Sequence, residues 1–512
     1  MGTRPEAAFD APVFLPSAGI PPPAAKLRSA LRFDWVIAAG AAAIFLSLAL
    51  WPISRDEGQY VAATALMRTG LPYRDFAYLQ TPLRPLLLAP LAWLPAGALL
   101  VVSRLFNGLC AFATLLLVSS AARRITPSSL AALSVIALAL SEPFLLAGSL
   151  ARNDALPMAL LAGAVAVMCR TLRESSRNPR PWLAVGLLMG LAVSAKINFA
   201  LPAAGAGVFL ILRTRRGDWR PLGYCFLGGL LGLLPTLVLA AAEPHRFVFD
   251  VFTYSLTAPQ QFLHLTHHRG RLWPPRKLFE LTQLALSSLI IAGLVAAVAD
   301  RCSGKVERLL DLMIVGGLIG AYLPDPAYSQ YLVPLLPCVA VRLAAALGRV
   351  RGGARTAVRA LVLVGCGLGA AHIGIDLDHA ITRSWPLRDA NRQGRTVAQL
   401  ADGRPVATLS PELIAGHDVV LDRGFATGPF LYRTEGKLAD DSNGLGFSPG
   451  WQQLDSYFAL HPPGAILAGA ELRPFPPVHP KGLDAPLVRW AEAHHYRPLT
   501  LPGRDMTLFL RP

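Results

Sequence analysis

Residues 35–50, WVIAAGAAAIFLSLAL, carry no charge, and the chain then reaches a charged mouth at Arg55, Asp56 and Glu57. With its flanks, such a run is long enough to cross a bilayer, where only a helix satisfies its own backbone polar groups. Comparable runs recur as far as residue 375, separated by short and often arginine-rich pieces. Only 16% of the 512 residues are charged and the mean hydropathy is +0.44. A polytopic α-helical membrane protein follows, rather than a large soluble protein with buried helices.

The net charge of +16 could suggest nucleic-acid binding, but the arginines sit between apolar runs, as a cytoplasmic-side bias requires. No zinc-finger, helix-turn-helix or aromatic RNA-binding pattern competes with that reading. Lys26, Arg28 and Arg32 precede the first run and place segment 1–32 in the cytoplasm. About 11 spans follow, near 35–51, 100–121, 128–148, 155–169, 182–195, 198–212, 221–241, 282–299, 309–323, 331–347 and 360–375. Prolines 72, 82, 85, 90 and 95 break the stretch after the first span into an external loop with short interfacial helices. The first run comes too late and too long for a cleavable signal peptide and is expected to remain as an anchor. All six cysteines precede residue 370 and form no CxxC pair, so neither a disulfide framework nor a metal cluster is indicated.

Beyond about residue 376 no stretch is apolar enough to span. PVATLS, HDVVL, AILAG and DMTLFL read as short strands and DAPLVRWAEAHH as an amphipathic helix, so 376–512 is expected to form a small α/β domain outside the membrane. Segment 33–375 is the transmembrane domain.

The external mouths gather the polar chemistry. Asp56 and Glu57 are neighbours, so on a helix their side chains point about 100° apart and suit two separate tasks better than a shared proton. One carboxylate can accept a proton while the other holds a hydroxyl-bearing substrate. Asp154, after Arg152 and before Pro157, either caps the next helix or orients a basic residue. Lys196 lies at a membrane edge, where it can snorkel or serve as a point charge for phosphate. His267, His268, Arg269 and Arg271 form a cationic loop that suits lipid headgroups or closure over a phosphate-bearing lipid.

The order of the first span, RDEGQYVAATALMRTGLPYRDF, TPLRPLLLAPLAWL and VVSRLFNGLCAFATLLLVSSAARRI resembles polytopic glycosyltransferases that use polyprenyl-phosphate sugars. That group, of GT-C type, includes protein mannosyltransferases and lipid A aminoarabinose transferases. SLARNDALPMALLAGAVAVM resembles its second external loop and following helix, and AYSQYLVPLLPCVAV its late Tyr-x-x-Pro-x-x-Pro helix at Tyr331. The resemblance covers roughly residues 33–375.

It implies Asp56 as general base, Glu57 as an acceptor-contacting or positioning acid, and Asp154 as the second-loop acid. It implies Arg74, Arg84, Lys196 and the 264–277 basic loop as donor-phosphate contacts. Gln330 stands before Tyr331 where the family often has a basic residue, and Arg84 where a lysine is common. The expected activity is sugar transfer, inverting, from a polyprenyl-phosphate-linked donor to an envelope glycolipid, polysaccharide or protein on the extracytoplasmic side of the inner membrane. No cofactor is indicated, and a divalent metal is left open. The rival expectation is a transporter or flippase of a lipid-linked or anionic solute.

Overall fold

The computed structural model describes residues 23–174, 178–214, 217–300, 304–382, 385–434, 447–471, 482–501 and 506–512. Most of the N-terminal segment 1–32, and Cys302, lie outside these residues.

Among the described residues, six helices are long and apolar enough to cross a membrane, and nine spans result if each of three bent helix pairs counts as one. The expected eleven differ by two pieces. Pro181–Ala195 is apolar but short, and Lys305–Tyr322 carries Lys305, Glu307, Arg308 and Asp311. Each expected apolar run is nevertheless helical, because a segment buried among neighbours can satisfy its backbone only internally.

The first bent pair builds the site. Helix Trp35–Leu50 stops before Pro52, and Arg55–Leu66 leaves at 91° to it. Ser54 starts the second helix: its hydroxyl accepts from the Asp56 amide at 3.3 Å, and its own amide donates to Glu57 at 2.9 Å, completing a capping box. The carbonyls freed at the end of the first helix are taken by Arg104, which donates to Leu48, Trp51 and Pro52 at 3.2, 2.9 and 3.1 Å.

Helices Pro181–Ala195 and Arg220–Ala242 pack backbone to backbone. A Cβ on Gly186 would lie 1.9 Å from the Cys225 carbonyl oxygen, and one on Gly228 would lie 2.1 Å from that of Leu183. Between lipid-facing helices apolar surface gives no drive to associate, so small residues that permit close approach supply the packing.

Helix Ser329–Leu347 joins the two ends of the bundle and is almost wholly buried. At its far end Arg342 donates to Asp300 at 2.7 Å and Asp311 at 2.8 Å, and Arg349 pairs with Asp300 and Glu307 at 2.7 and 3.0 Å. The last long helix, Gly352–Thr382, runs past the expected boundary at 376 and is followed by Pro386–Ala401.

The C-terminal part carries a five-stranded sheet: β1 Pro405–Thr408, β2 Val420–Leu421, β3 Ala465–Ala468, β4 Arg497–Leu501 and β5 Met506–Leu510. Its order is β2-β1-β3-β5-β4, with β1 parallel to β2 and β3, and β5 antiparallel to β3 and β4. Four of the strands and helix Ala485–Ala493 lie in segments whose pattern indicates them; β4, interrupted by Pro498, does not. This region seats on the first-loop helix. Arg55 pairs with Glu471 at 2.5 Å, Arg423 donates to the Thr69 carbonyl at 2.8 Å, and Gly58 leaves room for Glu412.

Candidate active site

Four charged residues from three segments of the chain meet at the mouth of the bundle. Arg152 stands at their centre. Its Nη1 lies 2.7 Å from Asp56 Oδ2, its Nε 3.3 Å from Asp154 Oδ2, and its Nη2 donates to the Gln330 side chain. Lys196 closes the network through Asp154 Oδ1 at 2.5 Å. Backbone geometry holds these groups: Asn107 donates to the carbonyls of Leu150 and Arg152, and Asn153 to that of Ala195.

Burial differs sharply across the network. The side chains of Asp154, Arg152 and Lys196 are 1%, 6% and 6% exposed, whereas that of Asp56 is 28% exposed. Asp154 is therefore a fixed counter-ion and Asp56 is open to a substrate. Burial would raise the Asp154 carboxyl, but Lys196 and Arg152 outweigh it and hold the group below the ordinary carboxylate range.

Asp56, Arg152 and Lys196 line a cavity of about 490 Å³, together with Tyr60, Tyr254, Asn198, Gln330 and Tyr331. The C-terminal part supplies one wall through Phe430, Arg433 and Thr434. The Tyr254 hydroxyl, 3.4 Å from the Phe430 carbonyl oxygen, joins that wall to the bundle. Gln59 Oε1 and both side-chain polar atoms of Asn198 are buried at this cavity without a protein partner. Such atoms suit a ligand rich in hydroxyl groups.

A model of glycosyltransferase family 87 matches residues 78–326. The chain has the GT-C fold. Its structure is similar to ArnT from Cupriavidus metallidurans bound to undecaprenyl phosphate, at 14% identity and a TM-score of 0.58, covering 93% of this chain and 97% of that one. It is also similar to AglB, the oligosaccharyltransferase of Archaeoglobus fulgidus, in complex with an inhibitory peptide and a dolichol-phosphate. That likeness has 10% identity and a TM-score of 0.52, and it covers 92% of this chain and 74% of the other. No curated protein matches the chain.

Within this fold the expected site residues separate into two groups. Asp56, Lys196 and Tyr331 line the cavity, with Asp154 directly behind it. Glu57 does not reach it. Its carboxylate accepts two bonds from Arg104, at 2.8 and 2.6 Å, and one each from the Ala151 and Ser54 amides at 2.7 and 2.9 Å. With every strong acceptor position engaged, Glu57 positions the loop that carries Asp56. Asp154 likewise makes no capping bond at the helix it precedes, because its oxygens face Lys196 and Arg152.

Most of the expected phosphate contacts lie elsewhere. Arg74 is exposed and pairs with Asp75 at 2.9 Å. Arg84 is buried behind Tyr60, 5.5 Å from its ring centre. Arg269 turns to His264, and Arg271 is paired with Glu280 at 3.0 Å and reaches only the Tyr328 ring at the rim. His267 and His268 are exposed on the same outer turn. Helix Pro274–Leu286 brings Glu280 back against Arg271 and Arg276.

Two residues went unassigned in the sequence. Arg104, a charge inside an otherwise apolar span, was the available signal for the partner of Glu57. Arg433 carries no local signal, since only folding of the C-terminal part brings it to the cavity. The two aspartates already face Arg152 and Lys196, so their charge is matched by protein cations and the set does not fit a divalent metal.

Proposed function

We propose that the chain transfers a sugar from a polyprenyl-phosphate-linked donor to an envelope glycolipid, polysaccharide or protein on the extracytoplasmic side of the membrane. The observation that carries this reading is the cavity-facing, partly open Asp56 held against Arg152. Residues 33–375 form the membrane domain, 376–512 an extracytoplasmic domain, and segment 1–32 is cytoplasmic.

The chemistry is a direct displacement. Asp56 takes the proton of an acceptor hydroxyl as that oxygen bonds the anomeric carbon, and the bond from that carbon to the phosphate oxygen breaks. The electron pair leaves with the polyprenyl phosphate, and the anomeric configuration inverts. Charge moves in step. Protonation of Asp56 removes the partner of Arg152 Nη1 as the departing phosphate gains negative charge, so a cation becomes available when and where one is needed. Tyr331 and the open amide atoms of Asn198 border the same space and suit the sugar hydroxyls.

The test supplies purified full-length protein with polyprenyl-phosphate sugars and extracted envelope acceptors, and compares wild type with Asp56→Asn. Loss of product at normal expression supports the assignment. Undiminished turnover removes Asp56 from its role, and counterflow of a labelled solute in sealed vesicles without covalent product would instead establish transport. A reporter fused near residue 56 tests the side of the membrane.

A further inference from the structure

Charge matching at the cavity leaves one residue over. Arg152 and Lys196 are matched by Asp56 and Asp154, and the rim residue Asp325 is matched by Lys277 at 2.5 Å. Among the described residues that line the cavity, Arg433 is the cation with no carboxylate partner. Its guanidinium lies 4.5 Å from the centre of the Phe430 ring, which steadies the side chain without neutralising it. Beside it Thr434 is fully buried, and its hydroxyl has no protein partner.

Resting on the donor reading above, we propose that Arg433, with Thr434, is the resident binding site for the phosphate group of the lipid-linked substrate. The C-terminal part thereby completes the active site. A guanidinium forks onto two phosphate oxygens, and a threonine hydroxyl donates to a third. The phosphodiester of the donor carries one negative charge, which Arg433 matches in the ground state. The second charge appears only as the sugar leaves, when Arg152 is released from Asp56. Arg433 thus acts on donor binding and Arg152 on the chemical step. Asp56, Tyr254 and Arg433 all line this one cavity.

The test measures binding of undecaprenyl phosphate, and of uncharged undecaprenol, to the purified full-length protein in nanodiscs. Wild type prefers the phosphate. Arg433→Gln weakens phosphate binding about tenfold to a hundredfold, the range of a hydrogen bond to a charged group, and leaves undecaprenol unchanged. Arg433→Lys keeps charge without the fork and loses about three- to tenfold. In turnover the Gln variant raises KM for the donor far more than it lowers kcat.

A phosphate preference intact in Arg433→Gln overturns the assignment while leaving the donor reading in place. The same holds if only the KM for the acceptor rises, since the anion would then belong to the acceptor. A wild type that does not distinguish phosphate from alcohol overturns both. Should the Gln variant fail to fold, the Lys variant decides, and wild-type affinity in it refutes the forked contact.

Discussion

The two ends of helix Ser329–Leu347 carry ion networks built from the same residue types and put to different uses. At one end Gln330 and Tyr331 border Arg152, Asp56 and the cavity; at the other, Arg342 and Arg349 bind Asp300, Asp311 and Glu307. The second network ties helix ends together and lines none of the cavity. The first keeps one carboxylate accessible and stands opposite an unmatched cation. What distinguishes a candidate active site from a staple here is an opening in the pairing, and no residue type alone reveals it.

The largest effect should come from the open carboxylate. Asp56→Asn is expected to lower turnover by about 10²- to 10⁴-fold, the usual contribution of a general base, with thermal unfolding little changed. At the closed end the reverse is expected. Arg342→Met takes one of two guanidinium partners from buried Asp300, which keeps Arg349, and should cost about 1–3 kcal/mol, read from thermal unfolding, while turnover per folded molecule is retained. A turnover loss in Arg342→Met as deep as that of Asp56→Asn would break the comparison.

A third network, between the C-terminal part and the first-loop helix, sharpens it through pH. Burial pushes the Glu471 carboxyl up to about 7, with Arg55 opposing, and the Asp484 carboxyl up to about 6. At these two groups the folded state holds more protons than the unfolded one between the ordinary carboxylate range and neutrality. The stability these groups contribute is complete below about pH 4 and is lost as pH rises through 6 and 7. Glu471→Gln should flatten the upper part of that fall, by up to about 3 kcal/mol, in unfolding scans from about pH 4.5 to 8. An unaltered pH profile would remove Glu471 as its source. The smallest effect belongs to the outer loop: Arg269→Ala, in an exposed turn outside the cavity, should change donor KM by less than about threefold.

Much of the fold could be read in the sequence because a bilayer leaves few options. Uncharged runs become helices, and Pro52 with Ser54 marks the break that turns the chain into the first loop. Lys305–Tyr322 escapes a simple apolarity test because Lys305, Glu307, Arg308 and Asp311 sit in its first turns. At the site, adjacency implied that Asp56 and Glu57 would diverge, and they do, but which one faces solvent depends on Arg104, 47 residues away. The cationic loop misleads for the same reason: its charge is visible in sequence, whereas the pairing of Arg271 and Arg276 with Glu280 appears only after folding. Arg433 lies at the extreme of that problem, 281 positions beyond Arg152, a separation counted along the sequence.

The glycine contact between Pro181–Ala195 and Arg220–Ala242 has a bearing on inherited variation. The first of these helices ends directly before Lys196, and Ser194 and Thr236 bond the pair at 2.7 Å just beneath it. An alanine at Gly186 adds a single methyl group about 15 Å along the helix from that lysine. It would nevertheless pry the two rods apart and draw the ammonium away from Asp154. An allele of that kind would be silent by every chemical criterion applied to the altered side chain and still disable the site at a distance.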